Sequence, residues 1–448
     1  MKKQKWMMGL VAIAAVAGNV INGRAQSVDS LLDKLVDKGV LTVKEAKDLR
    51  EEGDKDFSKA YAAKSGMADW VSALKFSGDF RGRYEWISPN SVAVPSNIDR
   101  QRFRYRLRFG VVASLMDDFE AGFRLTSGQA ATGNTSGGDP ISGNTTFSGN
   151  GSKKFVYFDQ AYGKWSPLHA AGWNGNLTIG KMENPFLFSD MVFDPDYTPE
   201  GAASSISYAF NDRQSLKITG AGFLLNELPG SVHDTYLVAG QLRWDAKWTP
   251  KLQSSLGFAA LTIQNGQNAN TAALPNQNVG NTRLTANPDL LAYSYHPLVA
   301  DAAVTYTLDS FPLYNGAFPI KAFGDYIRNP SAPTDRNTGW SAGLTLGKSG
   351  KKGLWDLTYR YKHLQSDAWF EELADSDTGA FYPTAPVGGA AGYGSGTNIK
   401  GHVIKLSYSP FDSFTLGATC FLMDLINNPS PTASSHATRL QVDANWKF

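Results

Sequence analysis

From residue 73 to the C-terminus the chain alternates polar and apolar residues at every second position, and no other feature constrains its fold as much. Successive side chains of a β-strand point to opposite faces, so a period of two makes two-sided strands, whereas a helix would scatter both sets. The pattern recurs in sixteen segments, 73–86, 101–115, 118–129, 153–166, 174–184, 203–211, 214–226, 233–248, 250–264, 297–309, 318–329, 337–348, 352–365, 399–410, 413–425 and 437–448. The sharpest instance is DRQRFRYRLRFG, where Arg100, Arg102, Arg104, Arg106 and Arg108 alternate with Phe103, Tyr105, Leu107 and Phe109. Such a strand suits either an antiparallel sheet with one wet face or a barrel wall between lipid and lumen.

The connections decide between these. Short links, MDD, NDR, WTP, SGKKG and SPFDS, alternate with long ones at 87–99, 130–152, 184–201, 265–296 and 370–398. Short turns on one side and long loops on the other, the loops falling after odd strands, are the plan of a bacterial transmembrane barrel. Composition agrees: 11 Trp, 18 Tyr, 25 Phe and 44 Gly with only 42% hydrophobic residues suits strands that are half wetted. Cys420 is the only cysteine, which excludes an intramolecular disulfide or a multi-thiolate site. The predicted fold is therefore all-β, a transmembrane antiparallel barrel of about 16 strands spanning residues 71–448.

Lys2, Lys3 and Lys5 precede the apolar run WMMGLVAIAAVAG, and Gly23 and Ala25 follow, so residues 1–25 read as a secretory signal peptide. The full chain carries 43 basic and 41 acidic residues; losing Lys2, Lys3, Lys5 and Arg24 leaves a net charge of about −2, which selects no partner. Residues 26–70 form a leader. Within it Val28, Leu31, Leu32, Leu35 and Val36 fall at helical spacing, Gly39 ends the helix, and Thr42 with Glu45 fits a capping box. Residues 27–64 thus predict a helical hairpin, a periplasmic spacer or a contact with the cell wall.

Within a barrel the arginines must face water. An Arg turned to lipid near the midplane costs roughly 2–4 kcal/mol, and several would exceed the stability of a domain. Five at alternate positions cover about 27 Å of strand, or about 20 Å of pore axis at a tilt near 40°. Lys75, Arg81, Arg83 and Arg124 extend the same inner wall, and Asp79, Glu85, Glu120 and Asp356 interrupt it. Arg360, Lys362, Lys405, Arg439 and Lys447 point inward on late strands. Against this wall stands the third long loop with Asp190, Asp194, Asp196 and Glu200, read as an inward-folding constriction loop or, equally, as a solvated surface loop. The expectation is a guanidinium ladder that favours anions; the plainer alternative is arginines that brace the lumen by pairing with barrel carboxylates.

Other classes fit less well. His169, His233, His296, His363, His402 and His436 are scattered without ligand or triad spacing, so no catalytic residue, metal or cofactor is predicted. Export and the lipid-like alternate face disfavour nucleic acid. The last strand alternates Leu440, Val442, Ala444, Trp446 and Phe448 with polar residues and ends on an aromatic.

Together the leader SLLDKLVDKGVLTVKEAKDLREE, the early strands FRGRYEW and DRQRFRYRLRFGV, the loop GKMENPFLFSDMVFDPD and the terminal ANWKF resemble the "Putative porin" family of Gram-negative outer membranes. In plan the chain is similar to the sixteen-stranded phosphate-selective and general porins. The resemblance implies passive diffusion of ions and small hydrophilic or anionic solutes through a water-filled channel in the outer membrane, commonly as a homotrimer. It also implies that Trp446 and Phe448 form a signal read by the barrel assembly machinery, and that outer-membrane lipid surrounds the wall. The long loops lack the dense basic cluster of a phosphate specialist. The runner-up is a structural barrel anchored to the cell wall by its leader, with a filled lumen.

Overall fold

The computed structural model describes residues 68–89, 99–130, 137–149, 151–230, 232–268, 279–430 and 432–448, together with Leu49 and Glu51. The signal peptide and nearly all of the helical hairpin, including Thr42 and Glu45, lie outside the described residues. Leu74–Phe448 form one compact unit.

All sixteen segments are strands. We number them β1 (Val71–Pro89), β2 (Arg100–Leu115), β3 (Phe119–Gly128), β4 (Phe155–Ala170), β5 (Trp173–Lys181), β6 (Glu200–Asn211), β7 (Gln214–Asn226) and β8 (Thr235–Lys247). The series continues with β9 (Leu252–Gln264), β10 (Leu298–Leu308), β11 (Phe318–Arg328), β12 (Thr338–Gly347), β13 (Leu354–Leu364), β14 (Ile399–Phe411), β15 (Phe414–Leu425) and β16 (Ala437–Lys447). Each pairs antiparallel with its neighbours in sequence, and β1 closes on β16 with Asp79 opposite Lys447 and Glu85 opposite Gln441. Closure leaves no edge, the condition for a sheet to cross hydrocarbon.

The alternation is realised as two faces. Phe76, Phe103, Phe109 and Phe158 are exposed on the outside, whereas Arg83, Glu85, Arg104 and Arg106 are buried on the inside. At the short-turn end aromatic side chains meet as neighbours, Trp173 with Tyr208 (4.6 Å), Phe414 with Trp446 (4.7 Å) and Trp244 with Trp248 (5.6 Å), which makes a girdle of the kind that marks a membrane interface. Turn chemistry agrees at the links: Asp117 (φ 59°) and Asp118 (φ 62°) both adopt the left-handed conformation that a two-residue hairpin turn requires.

The lumen departs from the expectation of a channel water-filled across its whole width. Loops after β5 (L3, 182–199), β9 (L5, of which 265–268 and 279–297 are described) and β13 (L7, 365–398) supply Met191, Val192, Phe193, Leu291, Tyr295, Trp369, Phe370 and Leu373 to a buried core inside the barrel. These side chains pack on Phe223, Leu237, Leu261, Ile263, Ile327 and Leu364 of the inner wall. The reason lies in the wall itself: near the loop end Phe223, Leu237, Leu261, Ile263, Val299, Ile327 and Leu364 face inward, and only apolar loop segments can dry them.

Candidate functional site

The arginines of β2 face inward as a ladder, but most of its rungs are already engaged. Arg106 donates from Nη1 to Asp196 (2.6 Å) and from Nη2 to Asp79 (3.0 Å), and Arg108 Nε donates to the other Asp79 oxygen (2.7 Å). Arg102 donates to the fully buried Glu85, which also accepts from Arg439 Nη2 (2.6 Å). On β1, Arg83 grips Asp443 of β16 through Nε (2.7 Å) and Nη2 (2.9 Å), the bidentate fork that only a guanidinium offers. Arg81 Nη2 donates to Asn144 (2.7 Å), and Arg124 pairs with Asp159, which a bulge in β4 turns inward beside Gln160. Arg104 differs. Its side-chain contacts are the loosest of the set: its Nη atoms lie 3.5 Å from Ser142 Oγ and 3.8 Å from Glu85, and its Nε, like those of Arg81, Arg106 and Arg439, has no partner among the described residues.

L3 enters the lumen because its apolar side chains need the wall and its polar ones find fixed partners there. Leu187 N donates to Gln241 Oε1 (3.0 Å) and Gln241 Nε2 donates to Leu187 O (2.8 Å), while Asp190 accepts from Arg360. L7 then clamps L3. Asp194 N donates to Leu373 O (2.8 Å), Asp375 N to Asp190 O (3.1 Å), Ser376 N to Asp194 Oδ2 (2.9 Å) and Trp369 Nε1 to Val192 O (2.6 Å). Asp377 on the same loop accepts from Arg439 Nη2 (2.7 Å) and Arg83 Nη1 (3.2 Å). The acidic edge is thus built from two loops.

The carboxyls of this edge titrate differently. Burial opposes ionisation of Asp190, but Arg360 and Lys362 outweigh it and hold the group at about 2. Asp377 is likewise held well below the usual range, its burial overcome by Arg439 and Arg83. Burial, with Asp375 and Asp196 beside it, pushes Asp194 well above the ordinary carboxylate range. Asp375 is pushed up to about 6 by burial and then by Asp190.

Two cavities lie beside these charges. The first, about 830 Å³, is lined on the cationic side by Arg81, Arg83, Arg106, Arg108, Arg124, Lys405 and Lys447, and on the acidic side by Asp79, Asp190, Asp194, Asp196, Asp375, Asp377 and Asp443. Seven basic and seven carboxyl side chains thus face each other across it, Asp194 being held toward its neutral form. The second, about 490 Å³ and toward the long-loop end, carries Arg100, Arg102, Arg104 and Arg439 against Asp139 and Asp377. Ser142, Ser376 and Asp377 line both, so the two cavities meet where the L2 loop (129–154) faces L7.

Of the residues singled out in the sequence, Arg81, Arg83, Arg102, Arg104, Arg106, Arg108 and Arg124 come together with Asp190, Asp194 and Asp196 in this region. Arg100 is exposed at the rim of the second cavity, and Lys75 is exposed outside both. Glu200 is also apart: it opens β6, is exposed, and lies 3.2 Å from Lys181 Nζ. Trp446 packs outward on Phe80 (5.6 Å), and Phe448 joins the sheet edge by exchanging backbone hydrogen bonds with Gly78. The sequence reading missed Asp375, Asp377, Ser142 and Asn144. The signal available was FEELADSD, where acidic and large apolar residues crowd together as they do in L3.

Residues 88–290 match the family described as "Putative porin", which bears out the resemblance drawn from the sequence. No curated protein matches the chain. Among solved structures, OprB of Pseudomonas putida superposes with a TM-score of 0.51 at 11% identity, covering 84% of this chain and 94% of that one. A mutant of Rh. blastica porin matches with a TM-score of 0.40 at 8% identity over 84% of this chain and 100% of that one. The likeness to OprB is one of fold, and with the family match it supports an outer-membrane channel.

Proposed function

We propose that the chain is a passive diffusion channel of the Gram-negative outer membrane with a modest preference for small anions, set at the junction of the two cavities. The observation that carries the preference is Arg104: a buried guanidinium whose shortest side-chain contacts are 3.5 Å and 3.8 Å, placed beside the cavity where cations outnumber carboxylates. Basic and acidic groups on opposite sides of the larger cavity give passing ions many weak contacts and no deep well, which is what conduction needs. A transverse field between Arg81, Arg106 and Arg108 on one side and Asp190 and Asp196 on the other orients dipolar solutes.

Reversal potentials in a salt gradient test this. Arg104→Gln shifts selectivity toward cations. Glu85→Gln, which releases Arg102, Arg104 and Arg439 from their shared carboxylate, shifts it toward anions. Removing one partner of a buried charge cluster costs about 3–5 kcal/mol, so the E85Q barrel also melts earlier. Unchanged reversal potentials in both variants refute the assignment; a purified barrel that conducts nothing favours the anchoring alternative.

A further inference from the structure

Outside the barrel, on the wall of β7–β11, lies a groove of about 690 Å³ that the pore does not use. Its floor is a row of small outward residues on adjacent strands: Gly220 stands opposite Gly240, and Gly240 opposite Ala260. A methyl group placed on either glycine would meet nothing within 4 Å. Leu298 follows in the same row and Arg328 ends it, while Ile218 and Phe258 form the neighbouring ridge. The volume falls within the range of ligand pockets, and the lining is almost wholly apolar except for Arg328.

Arg328 is what makes this more than a smooth stretch of wall. It is the last residue of β11 before the loop at 329–337, and it shares the outward parity of Tyr326, since Asp325 and Ile327, on either side of that tyrosine, are buried inward. It is exposed and has no ion pair among the described residues. An Arg on the lipid face is tolerated only near the interface, where the cost falls to about 0–1 kcal/mol. A cation at the mouth of an apolar trough is complementary to a molecule with an anionic head and a hydrocarbon tail, because guanidinium pairs with phosphate oxygens by charge-assisted hydrogen bonds.

We infer that this groove binds one acyl chain of a phosphorylated lipid, with Arg328 holding the head group and Gly240 and Ala260 leaving room for the chain. The inference rests on the reading of the barrel as membrane-embedded but not on its conduction. The test is native mass spectrometry of the full chain released from membranes of defined composition, with phosphatidylglycerol and phosphatidylcholine of identical chains as the probes. Wild type should retain phosphatidylglycerol in preference to phosphatidylcholine. Arg328→Gln should abolish the preference, weakening retention of the anionic lipid by about tenfold. Gly240→Leu, which fills the floor, should remove both lipids. Equal retention of the two lipids by wild type, or unchanged retention by both variants, overturns the site. So does a Gly240→Leu protein that falls from oligomer to monomer, since the groove would then be a contact between copies. Conductance of each variant reports folding, and lipid retention by a non-conducting wild type would sink the channel and leave this site standing.

Discussion

At the scale of residues, the lumen is governed by how charges are shared. Glu85 is approached by three guanidiniums and Asp377 by two, so the ladder is a network of hydrogen-bonded pairs with few free rungs. Asp375 is the member of this network poised to titrate under ordinary conditions. It faces Asp190, Asp377 and Lys362, and burial with Asp190 pushes it up to about 6. Because its folded value lies above the ordinary 3.8, the stability its neutral form lends to the L3–L7 contact is complete below that ordinary value and is lost as pH rises through about 6. Asp190 works in the opposite sense, but its contribution fails only as pH falls toward about 2. Open-channel noise should therefore grow between pH 5 and pH 7, and Asp375→Asn should flatten the rise. An equal rise in the variant would remove Asp375 as its source.

At the scale of elements, L3 and L7 act as one body. Trp369 is fully buried, donates to Val192 O (2.6 Å) and sets its ring edge-on against Phe193 (6.0 Å). Truncation of a buried Trp costs about 3–5 kcal/mol, and here the loss falls on the loop contact, since every ladder hydrogen bond of β13 and β14 is left in place. Trp369→Ala should raise single-channel conductance and expose L3 to proteolysis while the barrel stays folded; unchanged conductance would mean that L3 holds its place without L7. The strands were legible in the sequence because a period of two survives any neighbour, as Arg100 to Phe109 demonstrates. The weaker β5, β6 and β11 were legible because their pattern is short but unbroken. The loops were not. Whether FEELADSD or NPFLFSD faces solvent depends on which wall residues wait inside, and that depends on strands far away in sequence.

At the scale of the whole molecule, the barrel is asymmetric in use. The apolar loop core closes the side formed by β7–β11, and beneath it, at the short-turn end, a polar cavity of about 550 Å³ lined by Asp245, Lys247 and Lys321 leads no further. On the function proposed above, transit runs on the side of β1–β4 and β13–β16, where Lys405 lines the larger cavity. In a Cys420→Ala background, a charged thiol reagent should lower the conductance of Lys405→Cys and leave that of Lys321→Cys unchanged. Block of both would mean that the loop core is not a seal. The site was therefore half readable: Arg81 to Arg124 and Asp190 to Asp196 follow from alternation and loop order, whereas the carboxylates that neutralise them from L7 belong to tertiary packing.

The seam between β1 and β16 carries one more consequence. The final eleven-residue strand supplies the last partner to the first, so a nascent chain lacking Ala437–Lys447 has fifteen strands and two rows of unsatisfied amides and carbonyls. Hydrocarbon offers such groups nothing, each costing several kcal/mol. The wall therefore gains its last backbone partners only once that strand is in place.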